Sequence, residues 1–209
     1  MTALAILRAS HVLDCPDMRA FAIGKLRGSW PPDKPKLPGG RRNPNHAIHI
    51  IQVARECNAP ELCKRAYYEL IRNPNVWSGL ARNRAVVKLP EADLITLLLA
   101  RQELQRLWFE LVFEPPCKEE GACNGCQGMR RGGFSRSAAW RNQMIEDGHF
   151  EAGRVDPIGY LELLLTEKRK YLEGAGQTNW CTECVQERVG AWAEAQKEWW
   201  AKLDEWFKL

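Results

Sequence analysis

Histidine is scarce in this chain, long apolar runs are absent, and the compact catalytic signatures are missing. Only His11, His46, His49 and His149 occur among 209 residues, which leaves few side chains able to exchange protons near neutral pH. There is no glycine-rich phosphate loop, no Gly-x-Ser-x-Gly elbow and no His-Glu-x-x-His pair. P-loop nucleotide hydrolases, α/β-hydrolases and zincin proteases are therefore excluded. No strands are in evidence to build the sheet that a thioredoxin-type Cys-x-x-Cys enzyme requires. No apolar run approaches the ~20 residues needed to cross a bilayer. The start, Met1 to Arg8, is too short and lacks preceding basic residues for a secretory leader. The expected setting is intracellular, cytoplasmic or nuclear, with no membrane contact, no catalytic residue and no enzyme activity.

What the sequence does contain is helical pattern. With 45% hydrophobic and 27% charged residues, the chain can bury one good core or two small ones and is not disordered throughout. The formal net charge of +4 conceals an asymmetry: residues 1–90 carry 15 Lys/Arg against 6 Asp/Glu, and residues 91–209 carry 15 against 20. A basic half can meet nucleic acid or an acidic partner. Without a dense Lys/Arg block, scattered basic residues more often solvate helix surfaces.

Apolar residues from Ala3 to Leu26 recur at three- and four-residue steps, with Asp14-Cys15-Pro16-Asp17 as a turn and second helix start. Pro31, Pro32, Pro35, Pro38, Pro44 and Gly39-Gly40 then forbid helix and give a loop. A hairpin follows, with one helix over Ala47 to Ala54, a break at Asn58-Ala59-Pro60, and a second helix from Leu62 to Ile71 ending before Asn73-Pro74. Cys57 and Cys63 flank its turn as small buried packers. His46 and His49 are read as surface or capping residues, lacking a third ligand.

The longest pattern runs from Leu94 to Val112, after Pro90, Glu91 and Asp93 and before Pro115-Pro116. Beyond the cysteine-rich loop come a helix around Ala138 to Ile145, a loop at Gly148-His149-Phe150 with His149 as a surface imidazole, and a helix from Pro157 to Leu172 ended by Gly174 and Gly176. The last helix carries Val185, Val189, Trp192, Gln196, Trp199, Leu203 and Trp206 at alternating four- and three-residue steps, a heptad seam with one polar interruption. Large aromatics suit packing inside a helical domain better than a two-stranded coiled coil. Trp199, Trp200, Trp206 and Phe207 are the candidate partner-binding residues, with Trp200 and Phe207 outside the seam and exposed.

Five of the eight cysteines lie between Cys117 and Cys184, as Cys117-x5-Cys123-x2-Cys126 and Cys181-x2-Cys184. Zinc takes four thiolates, and a two-residue gap lets one turn present two sulfurs together. Residues 127–180 are too long an insert for a compact zinc ribbon. The expected structural zinc staple therefore joins the end of the Leu94 helix to the start of the Trp-rich one. Bare spacing favours Cys123, Cys126, Cys181 and Cys184 as ligands. His149 is a weaker substitute, and unligated thiols or a disulfide are the competing readings.

The expected fold is all-α, an array of antiparallel helix pairs closed by the Trp-rich helix. It comprises an N-terminal helical pair (1–29), a Pro/Gly-rich loop (30–45) and a helical domain with the cysteine cluster (46–209), forming one structural unit. The block from Ala3 to Leu26 resembles the segment that follows the BTB (POZ) core in mushroom-type fungal BTB-domain proteins. Ala47 to Leu70 resembles that family's next helix pair, and Leu94 to Phe113 its Arg- and Trp-containing helix. Trp200 to Leu209 resembles its ending of a Trp, a Leu and a terminal Phe-x-Leu. The BTB core would precede Met1 and is absent, so its dimerisation and ligase-docking roles pass to no residue here. The family's cysteine pattern implies Cys117 with Cys123, Cys181 and Cys184, which makes Cys126 an extra thiol.

These readings converge on a non-enzymatic, adaptor-like protein-interaction chain with structural zinc. The alternatives are a zinc-stabilised nucleic-acid-binding protein using the basic half, and a truncated BTB-family copy without independent function.

Overall fold

A computed structural model of the chain describes residues 2–31, 43–83, 87–117, 136–167 and 180–209. Among the described residues there are helices and no strand, so the fold is all-α as the sequence implies. The α-helices are α1 (Ala3–Val12), α2 (Pro16–Ser29), α3 (Pro44–Glu56), α4 (Cys63–Ile71), α5 (Pro74–Arg82), α6 (Glu91–Phe113), α7 (Arg136–Glu146), α8 (His149–Val155), α9 (Pro157–Thr166) and α10 (Thr182–Trp206), with a 3-10 turn over Pro60–Leu62. None of these helices is long and apolar enough to cross a membrane. Most of the Pro-rich loop and the segment holding Cys123, Cys126, Gly174 and Gly176 lie outside the described residues.

The single structural unit suggested by the sequence is divided into two compact ones. The first comprises Met1–Arg101 with Ala201–Leu209, and the second Gln102–Trp200. The helical pair at the N-terminus does not stand apart, because α1 packs on α3 as well as on α2.

In the first unit the chain reverses where its composition forbids helix. Asp14 adopts φ +47, and Pro16 occupies the first turn of α2, where its missing N–H leaves no bond unmade. Asn43 caps α3 by accepting from the Asn45 N–H at 2.9 Å. Arg19 ties α2 to the hairpin turn, donating to the carbonyls of Cys57 at 2.6 Å and Asn58 at 2.7 Å. On α1, Arg8 grips Glu56 of α3 through both carboxylate oxygens, at 2.7 and 3.1 Å.

Helix α4 lies at the centre, every residue from Cys63 to Ile71 being buried. Ala66, Leu70 and Ile71 supply apolar surface, while Lys64, Arg65 and Glu69 are charged and still enclosed. Each has a partner. Arg65 donates to Glu69 Oε1 at 3.0 and 2.7 Å, Arg72 donates to Glu69 Oε2 at 2.9 Å, and Lys64 reaches Asp204 at 2.7 Å. Phe207 packs on Tyr67 with ring centroids 4.9 Å apart. Arg55 bridges Asp93 and the Tyr67 hydroxyl. Burial pushes the Cys63 thiol up to about 11 and the Tyr67 phenol up as well, so both remain protonated.

The second unit is built around tryptophan. Trp108 donates to the Phe150 carbonyl at 2.9 Å and meets Tyr160 edge-on at 5.7 Å. Gly153 of α8 lies against the Trp108 indole so closely that a Cβ there would fall within van der Waals contact of the ring. Asp156 caps α9 by accepting from the Gly159 N–H at 3.1 Å. Gln196, the polar interruption in the α10 seam, donates to the Ile158 carbonyl at 3.3 Å and to Glu162 at 3.2 Å. A buried amide is retained there because both bonds are made inside the chain.

Candidate thiolate centre

Pro115 and Pro116 cannot continue α6, and the chain that leaves the helix is fixed by two side chains from distant elements. Trp140 of α7 donates to the Val112 carbonyl at 2.9 Å. Arg188 of α10 donates to the Pro115 carbonyl at 2.7 Å and to Glu114 at 3.2 Å. Cys117, two residues past that carbonyl, is buried.

The start of α10 is anchored in the same unit. Trp180 meets Trp140 edge-on at 6.2 Å. Cys181 precedes the first residue of α10 and its carbonyl accepts the Val185 N–H at 3.1 Å. Cys184 occupies the first turn and is buried, one helical turn before Arg188 and on the same face. One buried guanidinium thus links the α6 exit, which leads into Cys117, to the α10 turn that carries Cys184.

This corner combines a helix N-terminus with a buried guanidinium. Backbone N–H groups and the helix dipole at an N-terminus favour thiolate over thiol. Arg188 brings a positive charge into a buried place, where its Nε has no hydrogen-bond partner among the described residues. Burial holds the Arg188 pKa below its ordinary value, the nearby Glu114 carboxylate offsetting only part of that effect. The donor set fits zinc, which binds thiolate sulfur. Cys117 and Cys184 are buried and Cys181 is half-buried. Among the described residues no three His, Cys, Asp or Glu side chains gather closely enough to hold a metal ion. Cys123 and Cys126 lie outside the described residues.

The histidines stand elsewhere. His149 is buried, contrary to the surface loop expected from the sequence. Gly148 adopts φ +74 and turns the chain straight into α8, of which His149 is the first residue. Its Nδ1 lies 2.7 Å from the Tyr160 hydroxyl, and its Nε2 lies 3.9 Å from Asp147. His46 packs edge-on to Trp30 at 5.3 Å, whereas His49 Nε2 sits 3.5 Å from Arg8, so the two have separate neighbours.

The aromatic docking patch requires correction. Trp199, Trp200 and Phe207 are buried and Trp206 is half-buried. The sequence pattern treats the seam as the only covered stripe, but α10 also covers the adjacent positions Trp200 and Phe207. Trp199, Trp200 and Phe207 fill core, and Trp206 alone of the four keeps part of its surface accessible.

Among the described residues, α6 carries three exposed aliphatic side chains close together. Ile95, Leu98 and Leu99 are 52%, 53% and 61% exposed, on the face opposite the buried Leu94, Leu97 and Ala100. The signal was present in the sequence: leucines at 97, 98 and 99 in succession cannot all point to one side of a helix.

No family model, no curated protein and no solved structure matches the chain.

Proposed function

We propose that this chain is a non-enzymatic, adaptor-like protein-interaction module, comparable to the region that follows the BTB core in mushroom-type fungal BTB proteins. Its docking surface is the outer face of α6. The observation that carries this reading is the exposure of Ile95, Leu98 and Leu99 on a helix whose other face is already buried. A helix apolar on both sides needs cover on both sides, and contiguous large aliphatics in water mark interaction sites. A structural zinc ion held by Cys123, Cys181 and Cys184, with Cys117 or Cys126 as fourth ligand, would clamp the start of α10 to the α6 exit. The resemblance supports Cys117, as does its burial two residues beyond the Arg188 contact.

The fate of the basic residues favours a protein partner over nucleic acid. Lys64, Arg65 and Arg72 are buried in ion pairs, Arg8 and Arg55 are paired with Glu56 and Asp93, and Arg19 holds two carbonyls. Six of the fifteen basic residues in positions 1–90 are thus held in contacts within the chain and are not committed to a phosphate-binding stripe. Changing Leu98→Glu and Leu99→Glu together is expected to reduce capture of the chain's protein partners by at least about tenfold, with helix content and thermal midpoint held. Quantitative affinity capture from cell extract, with the double variant as control, measures this. Equal capture by both chains would refute α6 as the docking face, and duplex DNA affinity falling steeply with salt would favour the nucleic-acid reading.

A further inference from the structure

Helix α2 leaves a second face uncovered, and its details differ from those of α6. Ala22 and Leu26 are buried, while Asp17, Phe21, Gly24 and Gly28 lie on the opposite, exposed stripe at steps of four, three and four residues. Phe21 is 55% exposed. Beside it, Gly24 and Gly28 face open space: a Cβ at either position would meet nothing within 4 Å. Glycine weakens a helix interior, and nothing among the described residues approaches closely enough to require it. The stripe therefore presents an aromatic knob next to a backbone hollow.

The charges along α2 select the occupant. Asp14 and Asp17 stand at its start, and Lys25 and Arg27 stand near its end, all of them exposed. Such a helix is complementary to itself when reversed. With a two-fold axis between Phe21 and Gly24, each Phe21 falls beside the other copy's Gly24, and each Asp17 falls opposite the other copy's Gly28, within one helical turn of its Lys25. The Lys25 ammonium already sits 5.6 Å from the Phe21 ring centroid, at the edge of the same hollow. We propose that α2 is a self-association surface, on which a second copy of this chain packs antiparallel, with Phe21 of each copy seated over Gly24 of the other. The contact spans under four helical turns, so the dimer is weak and reversible.

Sedimentation equilibrium of the full, metal-replete chain tests this. The wild-type chain dimerises with concentration. Gly24→Leu fills the hollow and raises the dissociation constant at least about tenfold. Its thermal midpoint holds or rises, because leucine is the better helix former. Asp17→Lys weakens association comparably, and combining it with Lys25→Asp brings the constant back to within about threefold of wild type. Leu98→Glu with Leu99→Glu leaves the dimer unchanged, which separates this surface from the α6 reading. A chain that stays monomeric up to about 0.5 mM overturns the proposal, as does a dimer indifferent to Gly24→Leu or a charge swap that fails to restore pairing.

Discussion

Glu69→Ala is expected to destabilise the first unit by about 3–5 kcal/mol. The carboxylate is enclosed in α4 and accepts from Arg65 through one oxygen and from Arg72 through the other. Removing it leaves two buried guanidinium groups without their shared counter-charge, and the fold cannot rehydrate them without opening the helix. Equilibrium urea unfolding of wild type and variant measures the difference. A second chain sharpens the test: Arg65→Met, Glu69→Leu and Arg72→Met together replace the charges with apolar groups of similar size and recover most of the loss. A Glu69→Ala chain within about 1 kcal/mol of wild type would show that water reaches the site.

Gly153→Ala is the second large effect, with an expected loss of about 1–3 kcal/mol. Elsewhere in a helix the same change is favourable, since alanine has the higher helix propensity. At this position the added methyl group meets the Trp108 indole, which is held by the Phe150 carbonyl at 2.9 Å and by Tyr160 edge-on. A ring held on two sides cannot step aside as the end of a flexible side chain would. The companion change Trp108→Phe removes the ring edge that the methyl group strikes, so the two losses combined are smaller than their sum. Differential scanning calorimetry of the four chains reads this coupling, and strict additivity would show that the methyl group is accommodated by backbone movement.

Helix positions were legible wherever proline, glycine and apolar spacing agreed. Asp14-Cys15-Pro16 marks the α1–α2 turn, and Pro115-Pro116 marks the end of α6. Helix α5 was lost because Asn73-Pro74 reads as a terminator. In the structure Asn73 accepts from the Asn75 N–H at 3.1 Å and Pro74 sits in the first turn, so the dipeptide that ends α4 also opens α5. Helix α8 was lost for a related reason, since Gly148-His149 resembles a loop until the positive φ of Gly148 is known. Helix α9 is described as Pro157–Thr166, and the boundary at Leu172 that its apolar spacing suggests lies outside the described residues.

Buried charge is the feature that local pattern could not supply. Lys64, Arg65 and Glu69 look like the solvated side of a short helix, and only the enclosure of α4 on every side turns them into an ionic core. Arg188 escapes notice likewise, because its partners Glu114 and Pro115 are more than seventy positions away. For the cysteines, the sequence named the two chain segments, and Arg188 supplies the contact that joins them. Apolar spacing places the seam residues Trp192 and Trp199 inside the fold, where they are found, and misses the burial of Trp200 and Phe207, because periodicity gives a stripe and not its width.

The zinc-thiolate clamp is tested most directly by elemental analysis of the purified chain, alone and with Cys184→Ser, Cys117→Ser or Cys126→Ser. The proposal predicts about one zinc per wild-type chain, loss of the metal with Cys184→Ser, and loss with only one of the other two substitutions. A wild-type chain purified without chelator that carries no metal would contradict it.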